Sequence, residues 1–84
     1  MANTIIERWE TRGGKYVVEF SRHSSGKFDI RQFTNGSQDA ASVGFTFDAA
    51  TERLAKLIED SAIIDGIHYK QTYTNSAYQQ TEVI

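Results

Sequence analysis

The chain has no cysteine, no proline, one tryptophan and one methionine. Without thiols, neither a disulfide framework nor a thiolate zinc site can support the core, so packing must do so, most simply in a reducing compartment. The missing prolines carry no comparable message. No apolar run approaches the ~18 residues of a membrane span, and the N-terminus, Met1 to Trp9, has neither the basic start nor the apolar segment of a signal peptide. A cytoplasmic protein that does not enter membranes is the expectation.

Catalytic signatures are missing as well. His23 and His68 are the only histidines, neither lies at metal-ligand spacing on a helix, and no Gly-x-Ser-x-Gly or phosphate-loop glycine pattern occurs. Glu59 with Asp60 and Glu7 with Glu10 do not form acid–base pairs, because adjacent helix residues point apart and i, i+3 strand residues lie on opposite faces. These features predict a non-enzymatic protein with no metal or cofactor.

What is present suits one small ordered domain. The 84 residues are 39% hydrophobic and 24% charged, a composition of folded chains. A chain this short buries a smaller share of its surface than an average domain, which favours a homo-oligomer. Net charge is −2, yet it is unevenly placed. Residues 1–36 hold six bases (Arg8, Arg12, Lys15, Arg22, Lys27, Arg31) against four acids (Glu7, Glu10, Glu19, Asp29), whereas residues 37–84 hold three against seven. The first half is the plausible anion-facing side.

Alternation predicts a strand from Thr4 to Arg12, a tight turn at Gly13-Gly14 and an antiparallel partner from Lys15 to Arg22. Strict period two places Ile5, Glu7, Trp9 and Thr11 on one face of the first strand, with Ile6, Arg8, Glu10 and Arg12 on the other. After a turn at His23 to Gly26, Lys27 to Phe33 reads as a third strand. A polar turn from Thr34 to Asp39 precedes a fourth strand from Ser42 to Phe47. Asp48 is placed to cap an amphipathic helix whose apolar stripe is Ala50, Leu54, Leu57 and Ile58, and Asp65-Gly66 can end it. Ile67 to Thr74 alternates as an extended arm or fifth strand. Residues 75–84 are polar and weakly patterned, which predicts a mobile tail after a domain of residues 1–74. The fold class is α+β: a four-stranded antiparallel meander followed by one helix packed on it.

The functional candidate is the side of the sheet opposite Tyr16, Val18, Phe20, Phe28 and Ile30. If the second and third strands pair, Lys15, Ser21, Lys27, Arg31 and Phe33 share that side, where cations can hold phosphates and a ring can stack a base. Arg22 adds a further cation. The plain alternative is a charged, water-facing side of an antiparallel sheet. Trp9 is a second stacking candidate, although a lone tryptophan more often anchors a core or a dimer.

Two motifs in order, Lys27-Phe28-Asp29-Ile30-Arg31-Gln32-Phe33 and Gly44-Phe45-Thr46-Phe47 followed by a capped helix from Asp48, resemble the positive cofactor four-like family of single-stranded-DNA-binding transcriptional coactivators, especially its small bacterial relatives. The resemblance covers residues ~5 to 60 and agrees with the order of strands and helix read above. It implies a twisted sheet backed by the helix, homodimerisation through helices and sheets, and a groove on the sheet for unpaired DNA or RNA. By position it assigns Lys27, Arg31 and Phe33 to the nucleic-acid side and Phe28, Ile30, Phe45 and Phe47 to the core. The chain departs from the family in carrying Ala40-Ala41-Ser42-Val43 where a lysine-containing run usually precedes the fourth strand.

The leading expectation is therefore a homodimer that binds single-stranded nucleic acid, in transcription regulation or DNA maintenance, with Lys15, Arg22, Lys27 and Arg31 on phosphates and Phe33 and Trp9 stacking. The rival is a small protein-binding regulator or phage-type inhibitor. It would use the acidic helix face (Glu52, Glu59, Asp60) or the tyrosines Tyr69, Tyr73 and Tyr78. A domain that captures a small anionic metabolite between protomers would use the same basic face.

Overall fold

A computed structural model describes residues 3–75. Five strands, β1 (Thr4–Glu10), β2 (Tyr16–Arg22), β3 (Phe28–Thr34), β4 (Ser37–Phe45) and β5 (Lys70–Thr74), form one antiparallel sheet in the order β4-β3-β2-β1-β5. One helix, α1 (Phe47–Asp65), lies between β4 and β5 in the chain. The fold is α+β, with the first four strands in the meander expected from alternation. None of the helical residues described forms a segment long and apolar enough to cross a membrane.

The fifth strand finds its partner in β1, on the edge opposite β4. The helix therefore carries the chain from one edge of the sheet to the other. Its 19 residues reach about 28 Å at 1.5 Å per residue, enough to cross four strand spacings of about 4.8 Å each. Asn75, placed in the tail by its polarity, donates its amide to the Ile6 carbonyl at 2.7 Å and so extends the β1–β5 seam. The rest of the expected tail, including Tyr78, lies outside the described residues.

Several boundaries differ from the sequence pattern for local reasons. β1 stops at Glu10 and a 3-10 turn at Arg12–Gly14 follows, so Lys15 sits in the turn with helical angles (φ −63°, ψ −44°) instead of opening β2. Asn35-Gly36 forms a two-residue hairpin loop, with both residues at positive φ (51° and 84°), the pair this tight turn favours. β4 consequently begins at Ser37 instead of Ser42 and ends at Phe45, because Thr46, rather than Asp48, caps the helix. The Thr46 hydroxyl accepts the Ala49 amide at 3.2 Å, while Asp48 stays in the first turn, where its charge suits the helix dipole. Thr46→Ala should cost about 1 kcal/mol, read as a lower urea midpoint at unchanged slope; Asp48→Ala should cost less. Gly66 ends α1 in a left-handed conformation, as expected.

The core lies between the sheet and α1. Ile6, Val18, Phe20, Ile30, Ala50 and Leu54 are buried, with Trp9, Phe28, Phe45, Phe47, Leu57, Ile58 and Tyr69 packed around them. Phe20, Phe28 and Phe47 form an aromatic trio with ring centroids 5.2 to 6.0 Å apart, a spacing that favours tilted and edge-to-face contact. Burial is the main cause that pushes the Tyr69 phenol above its ordinary value of 10.0.

A β-bulge in β1 changes which side chains share a face. Ile5 pairs with Ser21 and Glu7 with Phe20, leaving Ile6 as the extra residue. One inserted residue reverses the alternation. Ile6 and Trp9, three apart, therefore both pack into the helix-side core, where strict alternation separates them. The Trp9 indole donates to Glu7 Oε1 at 2.8 Å.

Candidate nucleic-acid interface

The face opposite α1 is covered by no other element among the described residues, and its composition follows from the registers. Across the middle of the sheet run Ala41, Arg31, Glu19, Arg8 and Tyr73, one from each strand. Toward the Asn35-Gly36 hairpin runs a second row of Gln38, Phe33, Val17, Glu10 and Lys70. Toward the β2–β3 turn lie Asp29, Ser21 and Ile5. Cations and carboxylates alternate along the middle row. Arg8 Nε meets Glu19 Oε2 at 3.1 Å and Arg31 Nη2 meets Asp29 Oδ2 at 3.2 Å. The Thr72 hydroxyl donates to Glu10 Oε2 at 2.8 Å. Much of the positive charge that the sequence places here is thus already compensated inside the sheet.

Asp29 is the unusual member, a carboxylate only 2% exposed. A buried charge is tolerated when it is paired and hydrogen-bonded, and Asp29 is both. Asn3 Nδ2 donates to its Oδ2 at 3.0 Å, Arg31 binds the same oxygen, and the Gly44 amide donates to Oδ1 at 3.4 Å. That last contact depends on a bulge in β4, where the register slips between Phe28 and Ile30. Gly44 there takes φ 83°, a conformation that side chains with a Cβ rarely adopt. Asn3 also donates to the Ser21 hydroxyl at 3.2 Å, which explains why Ser21 is buried instead of displayed.

Two adjoining grooves share this end of the sheet. One is lined by Asn3, Ile5, Glu19, Ser21 and Phe33, the other by Ser25, Lys27, Asp29, Val43 and Gly44, and both by His23 and Arg31. Lys27, Arg31 and Phe33 are therefore brought together along β3 and its entry. The other three expected contacts are placed elsewhere. Lys15 leaves the face because the 3-10 turn sets its ammonium 5.2 Å from the centroid of the Tyr16 ring. Arg22 pairs with Phe28 and Thr4, so it follows the parity of the helix side. Trp9 belongs to the core side through the bulge, and its indole N–H is already engaged by Glu7.

His23 was legible only as a turn residue, yet it forms part of both grooves. Its Nδ1 accepts the Ser25 amide at 3.0 Å, which leaves the proton of the neutral ring on Nε2. Asp29 stood in plain view within the β3 motif. Its parity with Arg31, two residues on, was the available signal that the two meet. Among the described residues no group of side chains suits a metal ion.

No family model matches the chain, and no curated protein or solved structure matches it either.

Proposed function

We propose that the protein is a non-enzymatic, cytoplasmic binder of single-stranded nucleic acid that lays the strand across the uncovered sheet face, in the service of transcription or DNA maintenance. The observation that supports this reading best is the alignment of Lys27, Arg31 and Phe33 along β3 on a face that no described element covers. Phe33 offers a ring for a base, and stacking of this kind is worth about 1–3 kcal/mol per base. Arg31 and Lys27 offer cations to neighbouring phosphates. The contact set is smaller than the sequence suggested, since Lys15, Arg22 and Trp9 fall outside it.

The internal ion pairs make a quantitative difference. With two or three phosphates neutralised, log K should fall with log salt at a slope of about −1.4 to −2. Fluorescence anisotropy with labelled oligo-dT is expected to give micromolar binding with that shallow slope. Phe33→Ala and Arg31→Ala should each weaken it about tenfold, while Arg22→Ala leaves it within about twofold. No binding at ~50 mM salt removes the proposal.

A second reading has its own support. Ile63 and Ile64 are 74% and 73% exposed at the end of α1, and Tyr73 is 44% exposed on β5. The neighbouring pair Ile63-Ile64 suits a protein partner or a second copy of the chain, and Tyr73 offers a separate contact on the opposite face of the sheet. Light scattering at micromolar concentration separates a homodimer from a monomer, and a nuclease-resistant partner without oligonucleotide binding favours a protein-binding regulator.

A further inference from the structure

We propose that the groove at the β2–β3 turn is a receptor for one phosphomonoester group, so that the sheet holds a nucleic-acid strand by its phosphorylated end. This rests on the sheet face being the nucleic-acid surface and adds a specificity to it. The groove encloses about 320 Å³ between the turn, β3 and β4, room for a phosphate group and its first waters. Its lining includes the Lys27 ammonium, the Arg31 guanidinium and the His23 ring.

The observation that points to a ligand is Arg31 Nε. It is buried and has no hydrogen-bond partner, although Nη2 of the same guanidinium is held by Asp29. Leaving a buried charged donor unsatisfied is costly, and such groups mark places where water or an ion belongs. Asp29 orients the guanidinium while leaving donors over for a second acceptor, and a guanidinium can present two parallel N–H groups to phosphate. The His23 contribution is set in the same way. Because the Ser25 amide occupies Nδ1, the neutral ring has only Nε2–H to offer, a donor suited to an anion.

Charge selects the monoester over an internal diester. Among the lining residues Lys27 and Arg31 are cationic and Asp29 is the single anion, so the groove is net positive with His23 neutral. A monoester carries roughly −1.5 to −2 near neutral pH, against one negative charge for a diester linkage, and so gains more from the same donors. Asp29 does not oppose it strongly. Its carboxylate is 2% exposed and is already matched by Asn3, Arg31 and Gly44. The adjoining groove leads from the shared Arg31 and His23 to Phe33, which places a stacking ring beside the phosphate site.

Two measurements test this. Inorganic phosphate titrated into the labelled protein, followed by nitrogen–proton NMR, should shift Arg31 Nε–H and the Gly44 amide saturably, and chloride at matched ionic strength should not. Lys27→Ala and His23→Ala should each raise the phosphate dissociation constant several-fold, toward tenfold for the lysine. In the second measurement, oligo-dT with a 5′-phosphate, with a 3′-phosphate and with neither is compared by anisotropy. One of the two phosphorylated ends should bind about tenfold tighter than the unmodified strand, and Lys27→Ala should erase the difference. Equal binding of all three strands, with no saturable phosphate shift, overturns the end-recognition proposal while leaving strand binding in place. A saturable phosphate shift without any oligo-dT binding instead retains the site and removes the nucleic-acid reading.

Discussion

Asp29→Ala is expected to destabilise the domain by about 3 kcal/mol, the lower end of the range for removing one partner of a buried ion pair, because the Arg31 side chain left behind is one-third exposed. Against the 5–15 kcal/mol that holds a typical domain together, that is a large share. The substitution does more than delete a contact. Arg31 loses the acceptor for Nη2 while its Nε remains buried without a partner, and Asn3 and the Gly44 amide each lose an acceptor. Asp29→Asn should fall between wild type and alanine, since the amide oxygen can still accept one of these bonds but carries no charge. Urea unfolding of the two variants beside Arg31→Met checks the origin of the loss. If Arg31→Met abolishes most of the additional cost of Asp29→Ala in a double-mutant cycle, the orphaned guanidinium is its source. An additive pair of effects contradicts that account.

Phe20→Ala should be of similar size, about 3–5 kcal/mol, through a different mechanism. Phe20 is fully buried and its ring touches both others of the trio, Phe28 at 5.8 Å and Phe47 at 6.0 Å. Its removal opens a cavity between β2, β3 and the first turn of α1, and the two remaining rings cannot both move in to fill it. Thermal unfolding by circular dichroism should show a midpoint lowered by well over 10 °C, at roughly 4–8 °C per kcal/mol for a domain of this size. Phe20→Leu should recover much of the loss. A drop of less than 1 kcal/mol for the alanine variant would mean that the core collapses around the gap and that the trio is not its centre.

The contrast between these two sites shows which parts of the molecule were legible in the sequence. Phe20 stands in a strand of clean alternation, and its place opposite Ile30 follows once β2 and β3 are paired. The meander, the helix stripe and the Gly66 stop were readable for the same reason, since each is specified by residues close together in the chain. Asp29 alternates with equal regularity, but its burial depends on Asn3, 26 residues earlier, and on Gly44, 15 residues later. No local pattern records that meeting.

The bulge at Ile6 was hidden for a related reason. Ile5 and Ile6 are both apolar, so either can take the inward place, and only the register against Ser21 and Phe20 decides. That decision carried Trp9 to the core side. The Asn35-Gly36 hairpin is a different case. Its signal was present but lay within a longer polar run, and the two-residue turn that such a pair favours was not separated from its neighbours. The candidate site was therefore half visible: Lys27, Arg31 and Phe33 by their spacing, His23 and Asp29 only through the fold.

The seam between β1 and β5 has a consequence for how the protein is made. Glu7 pairs with Thr74 and Arg8 with Tyr73, so β1, the first of the described strands to be synthesised, waits for β5, the last of them, before one of its flanks is closed. Contacts this distant in sequence form slowly. Until they do, β1 offers an open rim of unpaired amides and carbonyls to any neighbouring nascent chain. The interval before that closure is when mispairing between copies is most easily made.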